Sequence, residues 1–151
     1  MNNKYYTVCG IIEIEGKVLL VRHTYGNAKD RILLPGGFVQ ENELPTTAVE
    51  REVLEETGVT AKAKSIIAMQ FKPEQWCTVF VMDYVSGTPK SDGLENSEVL
   101  LLTTEDAVNR DDITNMSREI LKAYMARHSE LSRNGYVPAS ADRDNYVIFG
   151  V

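Results

Sequence analysis

The sequence predicts an α/β protein built on one principal domain. Three observations carry that expectation. Residues 6–22 and 59–85 are rich in β-branched and aromatic side chains and are broken by turn residues, as strands are. Between them, residues 45–57 have helical spacing, with Pro45 at the start and Gly58 just past the end. Near the end of the chain, residues 113–128 form an amphipathic helical pattern. The chain has 151 residues, 43% apolar and 25% charged, which suits a single globular core and excludes collagenous, low-complexity and wholly disordered classes.

In chain order, Tyr6 to Ile14 reads as a strand in which Val8, Gly10, Ile12 and Ile14 alternate with Thr7, Cys9, Ile11 and Glu13. Glu15-Gly16 is a turn signal, and Lys17 to Arg22 completes a hairpin. Residues 23–31 are polar and read as a loop; Ile32 to Leu34 is a short apolar run stopped by Pro35-Gly36-Gly37. The helix over 45–57 buries Ala48, Val49, Val53 and Leu54. Val59 to Phe71 and Trp76 to Val85 read as long strands around the turn Lys72-Pro73-Glu74-Gln75. A polar loop covers Ser86 to Ser97, a short strand Glu98 to Leu102, and a short helix starts over Thr104 to Asn109. Thr114 is the expected N-cap of the helix over 113–128. The tail 129–151 is polar until Tyr146-Val147-Ile148-Phe149 and is expected to pack on the domain 1–128 or on a partner subunit.

Composition removes several functions. No run approaches the roughly 18 apolar residues of a spanning helix. The first residues lack the build of a signal peptide, so the expected compartment is the cytoplasm. Cys9 and Cys77 are too few for a disulfide scaffold or zinc cluster, and both read as small hydrophobes within strands. The net charge is −6, and the segment from Glu41 to Glu56 holds six glutamates and one base, Arg51. That leaves a near-neutral body without the basic surface that duplex nucleic acid requires. The acidic segment is a cation site or a solvated helix face.

Spacing favours the cation site. From Gly37 to Val59 the chain fits G-x5-E-x7-R-E-U-x-E-E-x-G-U, where U is aliphatic, at every fixed position. Seven fixed residues at roughly 7% usage match by chance on the order of 10⁻⁸ per window. At about 100° per residue, Glu52, Glu55 and Glu56 share one helix face. Like charges so placed weaken a bare helix by a few tenths of a kcal/mol per pair, and a hard dication turns that repulsion into ligation. Gly36 and Gly37 let the backbone turn sharply and leave a carbonyl free to act as a ligand.

This motif resembles the Nudix box of the Nudix hydrolases. The resemblance covers about residues 5–128 and implies a Nudix-type α/β/α sandwich with a mixed β-sheet. It also implies hydrolysis of the pyrophosphate bond in a nucleoside diphosphate linked to another moiety, such as a nucleotide, nucleotide-sugar or ADP-ribose type substrate. Water is the attacking group and Mg2+, or Mn2+ as a substitute, is the cofactor. Carried onto this chain, Glu55 and Glu56 would be the main metal ligands, with the Gly36 carbonyl. Glu52 would be a ligand or the base that activates water, and Arg51 and Glu43 would orient the carboxylates. Glu98 is the first candidate for a downstream base, with Glu95 behind it.

The sequence departs from common family patterns where Ile32 stands before the Pro-Gly-Gly corner and Leu101 or Leu102 follows the downstream glutamate. Pro73 and Trp76 do not fit a substrate marker cleanly. Tyr25 is a candidate for stacking on a base, and Arg22 and Arg31 for holding substrate phosphate. The expected partner is a small nucleoside diphosphate derivative, with no duplex nucleic acid and no membrane; apolar strand edges and the tail admit a homodimer. A nucleotide-sensing Nudix domain without hydrolysis is the alternative. An isomerase on this scaffold would need cysteine and histidine ligands, to which no motif ties Cys9, Cys77, His23 or His128.

Overall fold

The structure is a computed structural model of the chain and describes residues 4–126 and 130–150. Strand β1 (Tyr5–Ile14) turns through Glu15 and Gly16, both at positive φ, into β2 (Lys17–His23). A single 3-10 turn, Gly26–Ala28, lies in the following loop. The short strands β3 (Ile32–Leu33) and β4 (Gly36–Phe38) lead to helix α1 (Pro45–Thr57). Then come the long pair β5 (Thr60–Phe71) and β6 (Gln75–Ser86), strand β7 (Asn96–Leu102), and helices α2 (Thr104–Val108) and α3 (Asn115–Met125). The tail contributes β8 (Leu131–Asn134) and β9 (Ile148–Phe149).

Among the described residues nine strands form a mixed sheet in the order β3-β2-β1-β6-β5-β8-β9, with β4 added to β1 and β7 to β2. Strand β1 runs parallel to β6 from Tyr5↔Gln75 to Ile12↔Met82, and antiparallel to β4 over Thr7–Cys9. Alternation along the strands then makes two cores. Val8, Ile12, Leu19 and Phe80 pack with Ala48, Val49 and Val53 of α1. On the other face Ile11, Leu20 and Val79 pack with Ala107 of α2 and Ile120 and Leu121 of α3. Helices on both faces of the sheet make the α/β/α sandwich that the resemblance implies.

Helix α1 forms although its carboxylates repel. Ala48, Val49 and Val53 are fully buried, whereas Leu54, expected to be buried with them, is exposed. Each valine is worth about 1.5–3 kcal/mol, which outweighs a few tenths per like-charge pair. Pro45 occupies the first turn, and Gly58, at φ 72°, ends the helix with its N–H donating to the Leu54 carbonyl. Thr114 caps α3 by accepting from the Ser117 N–H. Residues 127 and 128, the expected last residues of this helix, and the expected boundary at 128/129 lie outside the described residues. The described part of the tail forms two strands. Strand β8 pairs with β5 at Ser65 and Ile66, β9 pairs with β8, and the Phe149 ring lies 5.8 Å from that of Phe80. Among the described residues no helix is long and apolar enough to cross a membrane.

Candidate functional site

Helix α1 is placed against the corner that precedes it. Gly36 and Gly37 pair with Cys9 and Val8 of β1, which brings the corner beneath the charged face of the helix. A side chain at Gly37 would set its Cβ 2.6 Å from both carboxylate oxygens of Glu52, and one at Gly36 would strike the Val8 carbonyl and Cys9. Glycine here is therefore a condition for the close approach of backbone and carboxylate.

Arg51 organises the acids around it through five hydrogen bonds. It donates to both oxygens of Glu43 at 2.8 and 3.0 Å, to Glu52 at 2.9 Å, to Glu55 at 3.1 Å and to the Phe38 carbonyl at 3.0 Å. This raises the Arg51 pKa further and lowers that of Glu43. Glu56 lies deeper, 2% exposed, and accepts from the Gly36 N–H at 3.3 Å. Burial pushes its pKa up to about 8, and the charges of Glu52, Glu95 and Asp92 push it the same way. Burial also raises the pKa of Glu52, against the opposing pull of Arg51.

Glu52, Glu56 and Glu95 each offer an oxygen within 4.8 Å of the others, and they are the group of this kind among the described residues. The donor set fits a divalent cation: it is all oxygen, it is acidic, and its buried member is held largely protonated at neutral pH by desolvation that a positive charge would relieve. No cysteine or histidine belongs to it. Glu55 is exposed, faces the mouth of the cavity and is paired to Arg51, so it stands outside the cluster. Reaching a shared ion would require its side chain to swing away from Arg51.

A cavity of about 590 Å³ opens over this cluster. Glu52, Glu55, Glu95, Arg51, Gly36 and Gly37 line its acidic side, and Leu33, Leu34, Met116 and Ile120 its apolar side. Tyr25 lines it too, 53% exposed and stacked on His23 at 5.2 Å and 13°. Burial lowers the His23 pKa. Cys9 and Cys77 are free thiols on adjacent strands and also border the cavity, a placement invisible to a reading of each as a strand hydrophobe.

The downstream acids are sorted by a β-bulge. Strand β7 pairs with β2 as Arg22↔Glu98 and then His23↔Asn96, so Ser97 is the extra residue. In a regular strand residues 96 and 98 share a face. Here Asn96 is fully buried and donates from Nδ2 to the Glu56 carbonyl at 2.8 Å, whereas Glu98 turns outward. Glu98 accepts from Arg22 at 2.9 Å and does not line the cavity; Glu95 does. Arg22 is also bonded to Asp112 at 2.9 Å and to the Asp30 carbonyl at 2.8 Å. Arg31 donates to the Ile113 carbonyl at 2.6 Å. Neither arginine lines the cavity, where Arg51 and His23 are the bases among the described residues. Arg22 and Arg31 thus tie the β2–β3 loop to the start of α3.

Comparison with known proteins agrees with this fold. A family model described as the NUDIX domain matches residues 3–124. The ADP-ribose pyrophosphatase of Methanocaldococcus jannaschii is 37% identical over 90 residues, covering 56% of this chain and 53% of that protein. The chain thus spans about half the length of this curated relative. The crystal structure of a NUDIX hydrolase from Nitrosomonas europaea is 28% identical, with a TM-score of 0.76 over 83% of this chain and 72% of that one. The MutT protein from Methanosarcina mazei Go1 is 25% identical, with a TM-score of 0.69 over 83% and 95% of the two chains. By its box, its sandwich and the reach of that family match, the chain belongs to the Nudix family.

Proposed function

We propose that this chain is a Mg2+-dependent Nudix pyrophosphohydrolase, with Mn2+ as a working substitute, that cleaves the pyrophosphate bond of a nucleoside diphosphate linked to another moiety. The observation that carries the reading is the convergence of Glu52, Glu56 and Glu95 within 4.8 Å beside a cavity large enough for a nucleotide. Residues 1–128 would be the hydrolase domain and 129–151 a tail packed on it through β8 and Phe149. The proposed compartment is the cytoplasm.

Glu52, Glu56 and Glu95 would hold the cation, with the Gly36 carbonyl at the corner and Glu55 at the mouth as a further ligand if it leaves Arg51. When bound there, the cation supplies positive charge against the phosphates and makes an adjacent water a better nucleophile. In the reaction the water oxygen bonds to one phosphorus, the bridging P–O bond breaks, and a carboxylate takes the water proton. Glu95 and Glu52 face the cavity and are the candidates for that acceptor. Arg51 holds Glu52 and Glu43 in place rather than binding substrate, because its donors are already engaged. Tyr25 offers a stacking face for the base, and the apolar wall toward α3 excludes water from it.

The curated relative's name makes ADP-ribose the first compound to test. Purified protein with Mg2+ or Mn2+ is incubated with ADP-ribose, nucleotide-sugars, dinucleotides and nucleoside triphosphates, and products are identified by mass spectrometry in ¹⁸O-water. The expected result is a nucleoside monophosphate and a second phosphorylated fragment, one of which carries the label. Tight binding of a nucleotide without turnover of any compound would instead favour a sensing domain.

A further inference from the structure

We infer that Thr24 is a positioning residue that fixes Glu95 beside the box carboxylates, an inference that rests on the proposed place of Glu95 in the cation site. Glu95 arrives from a loop, not from the middle of a helix or strand. One of its carboxylate oxygens stands within 4.8 Å of an oxygen of Glu52 and of Glu56, and Glu52 and Glu95 are both acids facing the same cavity. In the absence of a cation that arrangement repels, so the backbone carrying Glu95 needs to be held from outside.

Thr24, just past the end of β2, supplies that hold. Its single hydroxyl proton is shared between the Leu94 carbonyl at 2.8 Å and the Glu95 carbonyl at 3.1 Å, and its N–H donates to the Glu95 carbonyl at 3.2 Å. On the far side of Glu95, Asn96 is fixed to the Glu56 carbonyl. Glu95 is thus bracketed between a bond to β2 and a bond to the box helix. The next residue along from Thr24 is Tyr25, stacked on His23 at the cavity. One short segment therefore carries both the aromatic platform and the hold on the third carboxylate.

The hold is tested by Mn2+ titration of the full chain, followed calorimetrically, for the native protein, Thr24→Val, Thr24→Ser, Glu95→Gln and the double variant Thr24→Val/Glu95→Gln. Valine keeps the shape and removes the hydroxyl; serine restores it. Outer groups that orient metal ligands are worth about 10- to 100-fold in affinity. Glu95→Gln is expected to weaken Mn2+ binding by about tenfold or more and Thr24→Val by about three- to tenfold, while Thr24→Ser stays within about twofold of native. The double variant should bind no more weakly than Glu95→Gln alone, because the valine then has no ligand left to misplace. Native affinity in Thr24→Val, failure of serine to rescue, or a full additional loss in the double variant would overturn the inference while leaving Glu95 in the site. Native affinity in Glu95→Gln would remove Glu95 from the cation site, and the role of Thr24 with it.

Discussion

Helix α1 and the segment from Gly87 to Glu98 both deliver carboxylates to one cavity, but they fix them by different means. In α1 the positions follow from the pitch of the helix. Glu52 and Glu56 are one turn apart, the helix is pinned by the buried Val49 and Val53, and Arg51 spans the acids around it. In the downstream segment no periodicity sets the outcome. A single extra residue, Ser97, decides that Glu95 meets the cavity and Glu98 meets Arg22. A regular element can thus place a set of carboxylates by itself, whereas a loop-borne carboxylate depends on bonds to its flanking backbone, here from Asp92 within the loop and from Thr24 and the box helix outside it.

The largest expected effect lies on the helix. Glu56→Gln should lower turnover by at least about a hundredfold, because the deepest carboxylate of the cluster is lost without a change of shape. The same variant should alter the pH dependence of stability in metal-free protein. In the folded state the Glu56 pKa is about 8, against 4.5 for an ordinary glutamate, so between those values the folded state keeps a proton that the unfolded chain releases. The stability of the native sequence in chelator should therefore fall as pH rises from 4.5 to about 8 and level off beyond. Thermal melts across that range should show a shallower slope in Glu56→Gln.

The downstream segment gives the next effect and the sharpest contrast. Glu95→Gln should reduce turnover by about ten- to a hundredfold, and Glu98→Gln should stay within about threefold of native, since its partner Arg22 keeps Asp112. The reverse ranking would show that the bulge does not govern which acid works. For Gly37→Ala, whose Cβ would displace the Glu52 carboxylate, a loss of about tenfold is expected, at the lower end of that for Glu95→Gln and above that for Glu98→Gln. Steady-state kinetics at saturating substrate separate the three, with circular dichroism to confirm that each variant is folded.

How far the site was legible from sequence follows the same division. The box glutamates, Arg51, the stop at Gly58 and the Thr114 cap are read from local spacing, because their causes lie within a few residues. Glu95 ranked behind Glu98 because strand alternation carries no sign of an unpaired residue. Arg22 looked available for phosphate because its partner Asp112 is 90 positions away. The strands of the tail were obscure because β8 is short and polar, β9 is only two residues long, and each pairs only once β5 or β8 presents an edge. Cys9 and Cys77 gave no hint of the cavity, since only the parallel register of β1 and β6 brings them to it.

The most direct measurement is anomalous diffraction from crystals of the native protein grown with Mn2+ and a non-hydrolysable nucleotide analogue. The expected result is a manganese peak bonded to oxygens of Glu52, Glu56 and Glu95. A peak coordinated elsewhere, with Glu95 turned to solvent and Glu98 facing the analogue, would contradict it.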